Sequence, residues 1–148
     1  MPTANVFDDF VDRKGKAEIN LSTDSFKAML TNTAPNHATN GVKTDITEIS
    51  AVNGYTAGGA AVTASWAETS AGSGIWRFSV SADITFTASG GSIGPYRYLV
   101  IYDDTHASDA LVAYVDHGSS VTLTDGNTHT WDVDANGEIF TADNSAAA

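Results

Sequence analysis

The chain has 148 residues, a formal net charge of -11 and no cysteine. This length fits one domain, and an apolar fraction of 42% is sufficient for a hydrophobic core. The acidity excludes nucleic acids and anionic membranes as partners, because both are bound through clustered cations. The lack of cysteine excludes disulfides and thiolate metal sites.

The N-terminal 15 residues predict a short amphipathic helix or an arm. Residues 5–13 place Val6, Phe7, Phe10 and Val11 at helical spacing, with acidic residues between them. A helix of two turns is marginal alone and must dock on another surface. The acidic residues also distinguish this segment from a secretory signal, and no stretch approaches the ~20 apolar residues that span a bilayer. We therefore expect a protein made in soluble form in the cytoplasm.

Residues 16–143 have the pattern of a single all-β domain, in which short apolar runs alternate with turns. Strands are predicted at 17–21, 26–32, 61–66, 98–102, 111–115, 120–123, 128–133 and 138–141. Residues 44–49 fit either a strand or a helical turn. This rhythm predicts a β-sandwich, for which a jelly roll is one arrangement, and the tail at 144–148 is predicted to be disordered.

Two adjacent segments are the most informative. From Trp76 to Phe86 every second residue is apolar, which predicts a half-buried strand, or two strands that share a face around Asp83. The segment from Thr85 to Asp104 includes the run 98–102, which is apolar at every position and predicts a strand buried on both faces. The glycines at 90–94 lack the Lys-Ser/Thr ending of a phosphate loop and predict a turn.

One polar cluster matches a metal-binding motif. Asp132, Asp134 and Asn136, followed by Gly137, fit the opening of a calcium loop. The flanking segments are predicted strands rather than helices, and Asn-Gly is typical of a β-hairpin turn. The hairpin is therefore the preferred interpretation, with calcium as the alternative.

Two further clusters contain reactive residue types without the expected spacing. One has carboxylates and an imidazole but no tetrahedral metal-site spacing, and comprises Asp103, Asp104, His106 and Asp109. The other has the residue types of a hydrolytic triad within five positions, and comprises Asp116, His117, Ser119 and Ser120. Solvated loops and turns explain both clusters more simply. The sequence therefore predicts no catalytic residue, no bound metal and no cofactor.

The three tryptophans are candidates for a sugar-stacking platform. Trp76 lies in the apolar register of its predicted strand, which favours core packing. The surroundings of Trp66 and Trp131 are not decided by the pattern.

Several segments between Phe26 and Phe140 together resemble a family of small virion proteins of tailed bacteriophages. They are FKAMLTNTAP at 26–35, DITEI at 45–49, NGYTAGG at 53–59, the segment 85–104, and HGSSVTL at 117–123. Some members of this family are capsid decoration, or cement, proteins. The resemblance implies a non-enzymatic structural role on the virion, with the major capsid protein as partner and a homo-oligomer on the particle. It carries over no site residues, since the shared segments are strands and turns.

The distribution of charge suggests how such a protein would attach to the capsid surface. All seven basic residues lie at or before position 97, and nine acidic residues follow it. We therefore expect the acidic C-terminal half to face solvent and the N-terminal part to dock, with Phe7 and Phe10 as anchors. The alternative is a tail or fibre component that binds a host-surface glycan through exposed aromatics such as Trp131.

Overall fold

The computed structural model describes residues 4–80, 83–132 and 137–143. The elements in chain order are β1 (Ala4–Val6), α1 (Asp8–Gly15), β2 (Phe26–Thr31), a 3-10 turn (Lys43–Asp45), β3 (Ala60–Val62), β4 (Ala64–Glu68), β5 (Ile75–Val80), β6 (Ile84–Thr87), β7 (Ile93–Asp103), β8 (Ala110–Leu123), β9 (Thr128–Trp131) and β10 (Glu138–Asp143). The predicted disordered tail at 144–148 lies outside the described residues, as do Asp134 and Asn136 of the candidate calcium loop.

The strands form three antiparallel sheets. The largest has the order β1-β8-β7-β2-β3, the second has the order β10-β5-β4, and β6 pairs with β9. In the largest sheet β7 lies between β8 and β2, so both of its edges are hydrogen-bonded. Its residues Leu99, Val100, Ile101 and Tyr102 are completely buried, which confirms the predicted strand with two buried faces.

Aromatic contacts join the sheets into a β-sandwich. Phe78 of β5 lies 5.0 Å from Phe26 of β2, measured between ring centroids. On the β6-β9 pair, Trp131 lies 6.2 Å from Tyr96 of β7. The buried side chains of all three sheets and of α1 belong to one hydrophobic cluster. The predicted all-β fold with a short N-terminal helix is thereby confirmed.

Three local predictions differ from the structure. Residues 17–21 form a turn and a loop rather than a strand, because Ala17 has a φ of 60° and turns the chain away from the helix. The alternating segment 76–86 forms two strands, β5 and β6, as the second alternative predicted, but these strands belong to different sheets. The two strands predicted at 111–115 and 120–123 are one long strand, β8, whose pairing with β7 contains register shifts.

Candidate functional site

The prediction that Phe7 and Phe10 anchor the chain to a partner is wrong for this fold. Both side chains are buried in the protein's own core, with exposures of 0% and 1%. Phe7 contacts the ring of Tyr114, and Phe10 contacts the ring of Phe140. The reason is that α1 turns its apolar face inward onto the sheets, which leaves Val11 as its exposed apolar residue.

The acidic cluster after β7 is divided among separate partners. Asp103 is buried, the Asp104 carboxylate pairs with Lys27, and Asp109 lies 3.9 Å from the Lys43 ammonium. His106 faces α1 and accepts a hydrogen bond at Nδ1 from the Ser108 N–H. Within residues 4–80, 83–132 and 137–143, no three His, Asp or Glu side chains are grouped as metal ligands would be.

The residues of the candidate triad do not form one in the structure. The Asp116 carboxylate accepts two hydrogen bonds from Arg97, at 2.7 and 2.9 Å, instead of orienting His117. Ser120 donates its hydroxyl hydrogen to Asn32 Oδ1 on the neighbouring loop. The hydrolytic arrangement that the residue types suggested is therefore not present at these positions.

His117 belongs instead to a cluster of four rings at the contact between the β6-β9 pair and strands β7 and β8. Its members are Tyr96, His117, His129 and Trp131. The ring centroid of His117 lies 5.1 Å from that of His129, which lies 4.9 Å from Trp131. The Tyr96 hydroxyl lies 2.6 Å from His129 Nδ1, and the His129 tautomer decides which of the two groups donates this hydrogen bond; burial raises the pKa of Tyr96 to about 12. Burial and the neighbouring His117 lower the pKa of His129. The cluster packs the β6-β9 pair against the main sheet.

The exposed aromatic surface lies on the β10-β5-β4 sheet. Trp76 is 42% exposed and stacks on Trp66, with centroids 5.9 Å apart and an interplanar angle of 24°. Trp131, by contrast, is only 3% exposed. The expectation of core packing for Trp76 was wrong: at the exposed start of β5, beside Ile75, it packs only on one side, against Trp66. A sugar-stacking role for Trp131 is likewise incompatible with its burial.

A row of aromatic rings connects this surface with the core. Trp66 contacts Phe140 at 5.8 Å, and Phe140 contacts Phe10 at 5.4 Å beneath α1. Beside the row, a groove of about 300 Å³ runs between Trp66 and the segment that follows α1. Its walls are formed by Lys14, Ala17, Ile19, Asn20, Leu21, Ser22 and Trp66. This volume is at the lower end of the range of small-molecule sites, ~300–1,000 Å³.

Lys14 gives the groove a positive charge. Its ammonium lies 4.9 Å from the centroid of the Phe140 ring, a cation–π geometry. The groove therefore combines a flat aromatic wall, aliphatic side chains, neutral polar groups and one cation. These are the components of a site that binds a small amphipathic molecule or a short segment of a partner. We define the groove together with Trp76 as the aromatic groove.

Sequence reasoning identified Trp66 and Trp76 as candidate aromatics but did not include Lys14 or the segment 17–22. A short helix followed by a predicted strand gives no indication of a groove. The usable signal was the amphipathic helix itself, because a lysine at the border of its apolar face lies beside the surface that the helix covers.

No protein-family model, curated protein or solved structure matches this chain. Among the described residues, no helix has the length and apolar character needed to cross a membrane.

Proposed function

We propose that this chain is a non-enzymatic structural protein of a tailed-bacteriophage virion, a capsid decoration protein that bridges major capsid subunits and oligomerises on the head. The proposal starts from the family resemblance of its sequence segments. It is supported by what the polar residues of those segments do in the fold.

A hydrogen-bond network connects four of these segments. Tyr55, from NGYTAGG, accepts a hydrogen bond from the Leu30 N–H at 2.9 Å and donates to Glu48 Oε1 at 2.7 Å. The same Glu48 oxygen accepts the Gly58 N–H at 2.7 Å. From β7, the Tyr102 hydroxyl donates to the Gly58 carbonyl at 2.7 Å. These bonds fix the long loop before β3 against the centre of the main sheet.

The observation that carries the proposal is that polar side chains of these segments form hydrogen bonds that hold the backbone in place. Glu48, Tyr55 and Tyr102 are the residue types that could serve catalysis, yet each is engaged in holding backbone, and desolvation raises the pKa of both tyrosines. The segments that resemble the phage family therefore contain residues that maintain the fold, and the resemblance concerns the architecture of the protein. A protein that acts as a rigid, acidic module on a larger particle needs this architecture and no reactive site.

The test uses particles of the phage that encodes the chain. We expect the protein in purified heads at a fixed ratio to the major capsid protein. Heads assembled without it should bind the purified protein saturably and then release their genome at a higher temperature. Absence from the particle, or presence only in the tail fraction, would refute the capsid assignment.

Deletion of residues 1–15 would not test the docking surface, because it would remove β1, Phe7 and Phe10 from the folded core. Val11 is 56% exposed on the outer side of α1, and Val52 is 49% exposed elsewhere on the chain. If the N-terminal part docks, Val11→Asp weakens binding to the heads and the matched control Val52→Asp does not. Equal binding by the two variants would contradict docking through α1.

A second function, glycan binding by a tail or fibre component, is favoured by one specific feature. Trp76 presents its indole to solvent beside Trp66, and stacked indoles are suited to the apolar face of a sugar ring. A glycan array with the wild-type protein and Trp76→Ala tests this function. Binding that is lost in Trp76→Ala supports it, whereas an array without any signal opposes it.

A further inference from the structure

Lys14 differs from every other basic residue of the chain in its electrostatic surroundings. The other six lysine and arginine side chains all form ion pairs, namely Arg13, Lys16, Lys27, Lys43, Arg77 and Arg97. Lys14 has no carboxylate partner in the part of the chain that the structure describes. In a protein with 18 acidic and seven basic residues, an unpaired cation is unexpected.

The position of Lys14 makes this charge available to a ligand. The side chain is half-buried, lines the aromatic groove and lies above the Phe140 ring. Its neighbours on the same helix, Arg13 and Lys16, are directed to Asp9 and Asp12 instead. The groove thus offers one cation, Lys14, and the indole of Trp66, on which Trp76 stacks next to the groove.

We infer that the aromatic groove binds a carboxylated sugar, such as a hexuronic acid unit of a glycan, with the sugar ring on the indoles and its carboxylate at Lys14. The inference rests on the second proposed function, glycan binding, and specifies its ligand class. A sugar acid has an apolar C–H face for stacking and one negative charge for one ammonium. Its hydroxyl groups can exchange hydrogen bonds with the polar lining at Asn20 and Ser22.

Other anions fit the groove less well. Phosphate ligands are normally held by several cations or by a row of backbone N–H groups, and the groove offers a single ammonium within a strongly acidic protein. A neutral sugar would use the indoles but would leave Lys14 without a partner. A singly charged carboxylate on a ring is the ligand whose chemistry matches both features.

The test compares two probes that differ only at C6, methyl glucuronide and methyl glucoside. Binding is measured by tryptophan fluorescence and by shifts of the tryptophan indole N–H signals in NMR spectra. We expect the glucuronide to bind about ten-fold or more tightly than the glucoside, since a hydrogen bond to a charged group is lost in the latter. An array that includes uronate-containing glycans extends the comparison to larger ligands.

Three variants assign the binding to the groove. Lys14→Gln should remove the preference for the glucuronide, whereas the matched control Lys16→Gln, on the same helix, should retain it. Trp76→Ala should weaken both probes by about two- to ten-fold, as expected for loss of one stacking contact. Thermal melting of each variant confirms that the fold is retained.

The possible outcomes distinguish failure of this inference from failure of glycan binding, the proposed function on which it rests. Equal binding of the two probes, with loss in Trp76→Ala, would overturn the acidic specificity and leave glycan binding supported. No binding of either probe or of any arrayed glycan would overturn both. Particle binding is measured separately, so neither result affects the capsid assignment.

Discussion

Asp103, the last residue of β7, has a strained electrostatic environment that a single substitution should relieve. Its side chain is fully buried. Oδ1 accepts hydrogen bonds from the N–H groups of Thr105 and His106, at 2.8 and 3.1 Å, whereas Oδ2 has no hydrogen-bond partner. Burial and the nearby carboxylate of Asp24 raise the pKa of Asp103 from 3.8 to about 6.

The direction of the pH effect follows from this rise. Between about pH 4 and pH 6 the folded state binds a proton at Asp103 that the unfolded state has released, so this group favours folding at low pH. Its contribution is lost as the pH rises through the folded pKa of about 6. The change in proton affinity is about a hundredfold, equivalent to about 3 kcal/mol in the free energy of unfolding when the loss is complete.

Asp103→Asn keeps the oxygen that accepts the two N–H groups and replaces Oδ2 with an amide that can donate to Asp24. We expect the free energy of unfolding at pH 8 to rise by about 1–3 kcal/mol, with roughly half of that rise at pH 5 and little change below about pH 4. Urea denaturation followed by tryptophan fluorescence, repeated from about pH 3.5 to pH 8, measures the difference between wild type and variant.

The control is Asp104→Asn, which affects a neighbouring carboxylate that pairs with Lys27 at the surface. Surface pairs contribute about 0–1 kcal/mol, so this variant should keep the pH dependence of the wild type. The explanation is refuted if Asp103→Asn is less stable than wild type at pH 8 and has the same dependence on pH.

Three further predictions concern other parts of the fold. His129 should titrate in NMR spectra with a pKa below 6.5, because burial disfavours the imidazolium, and a value at or above 6.5 would contradict this. Its contribution to stability is present above pH 6.5 and is lost as the pH falls from 6.5 through the lower pKa of the folded state. Gly59→Ala should lower stability by about 3 kcal/mol or more, since the added Cβ would lie 1.8 Å from a carbonyl oxygen of β2. Gly72→Ala, with a similar φ of 77° and open space around it, should cost only about 1–2 kcal/mol in denaturation experiments, and equal losses would contradict the steric explanation. Phe10→Ala should destabilise the protein by about 3–5 kcal/mol and Val11→Ala by less than about 1 kcal/mol; similar melting temperatures would show that α1 does not pack as described.

The central strands were predictable because their signal is local. The run at 98–102 has no polar position, and a strand of that kind can only lie inside the protein. The alternation in 26–32 and 76–80 indicated one buried face for each strand, but β2 is also buried at Met29 and Thr31 on its other face, and Trp76 is exposed. The break of the 76–86 register into two sheets was not predictable, since β5 and β6 keep the same alternation and differ only in their partners.

The candidate site was predictable only in part, because exposure depends on which residues cover which. Trp76 has the sequence environment of a core residue and is exposed, whereas Trp131 is buried beside Tyr96. Phe7 and Phe10 were assigned to the outer face of a docking helix and instead pack beneath it. Each error has the same cause, namely that an amphipathic pattern identifies an apolar face without identifying what that face contacts.

The sequence by itself determined the all-β class, the short N-terminal helix, the buried β7 and the lack of cysteine chemistry. These follow from periodicity and composition, which act over a few residues at a time. The tertiary structure decided which charges are paired and which aromatic rings reach the surface. Lys14 is one of seven basic residues in the sequence, and it becomes distinctive only because the other six form ion pairs with carboxylates that lie up to 77 positions away in the chain.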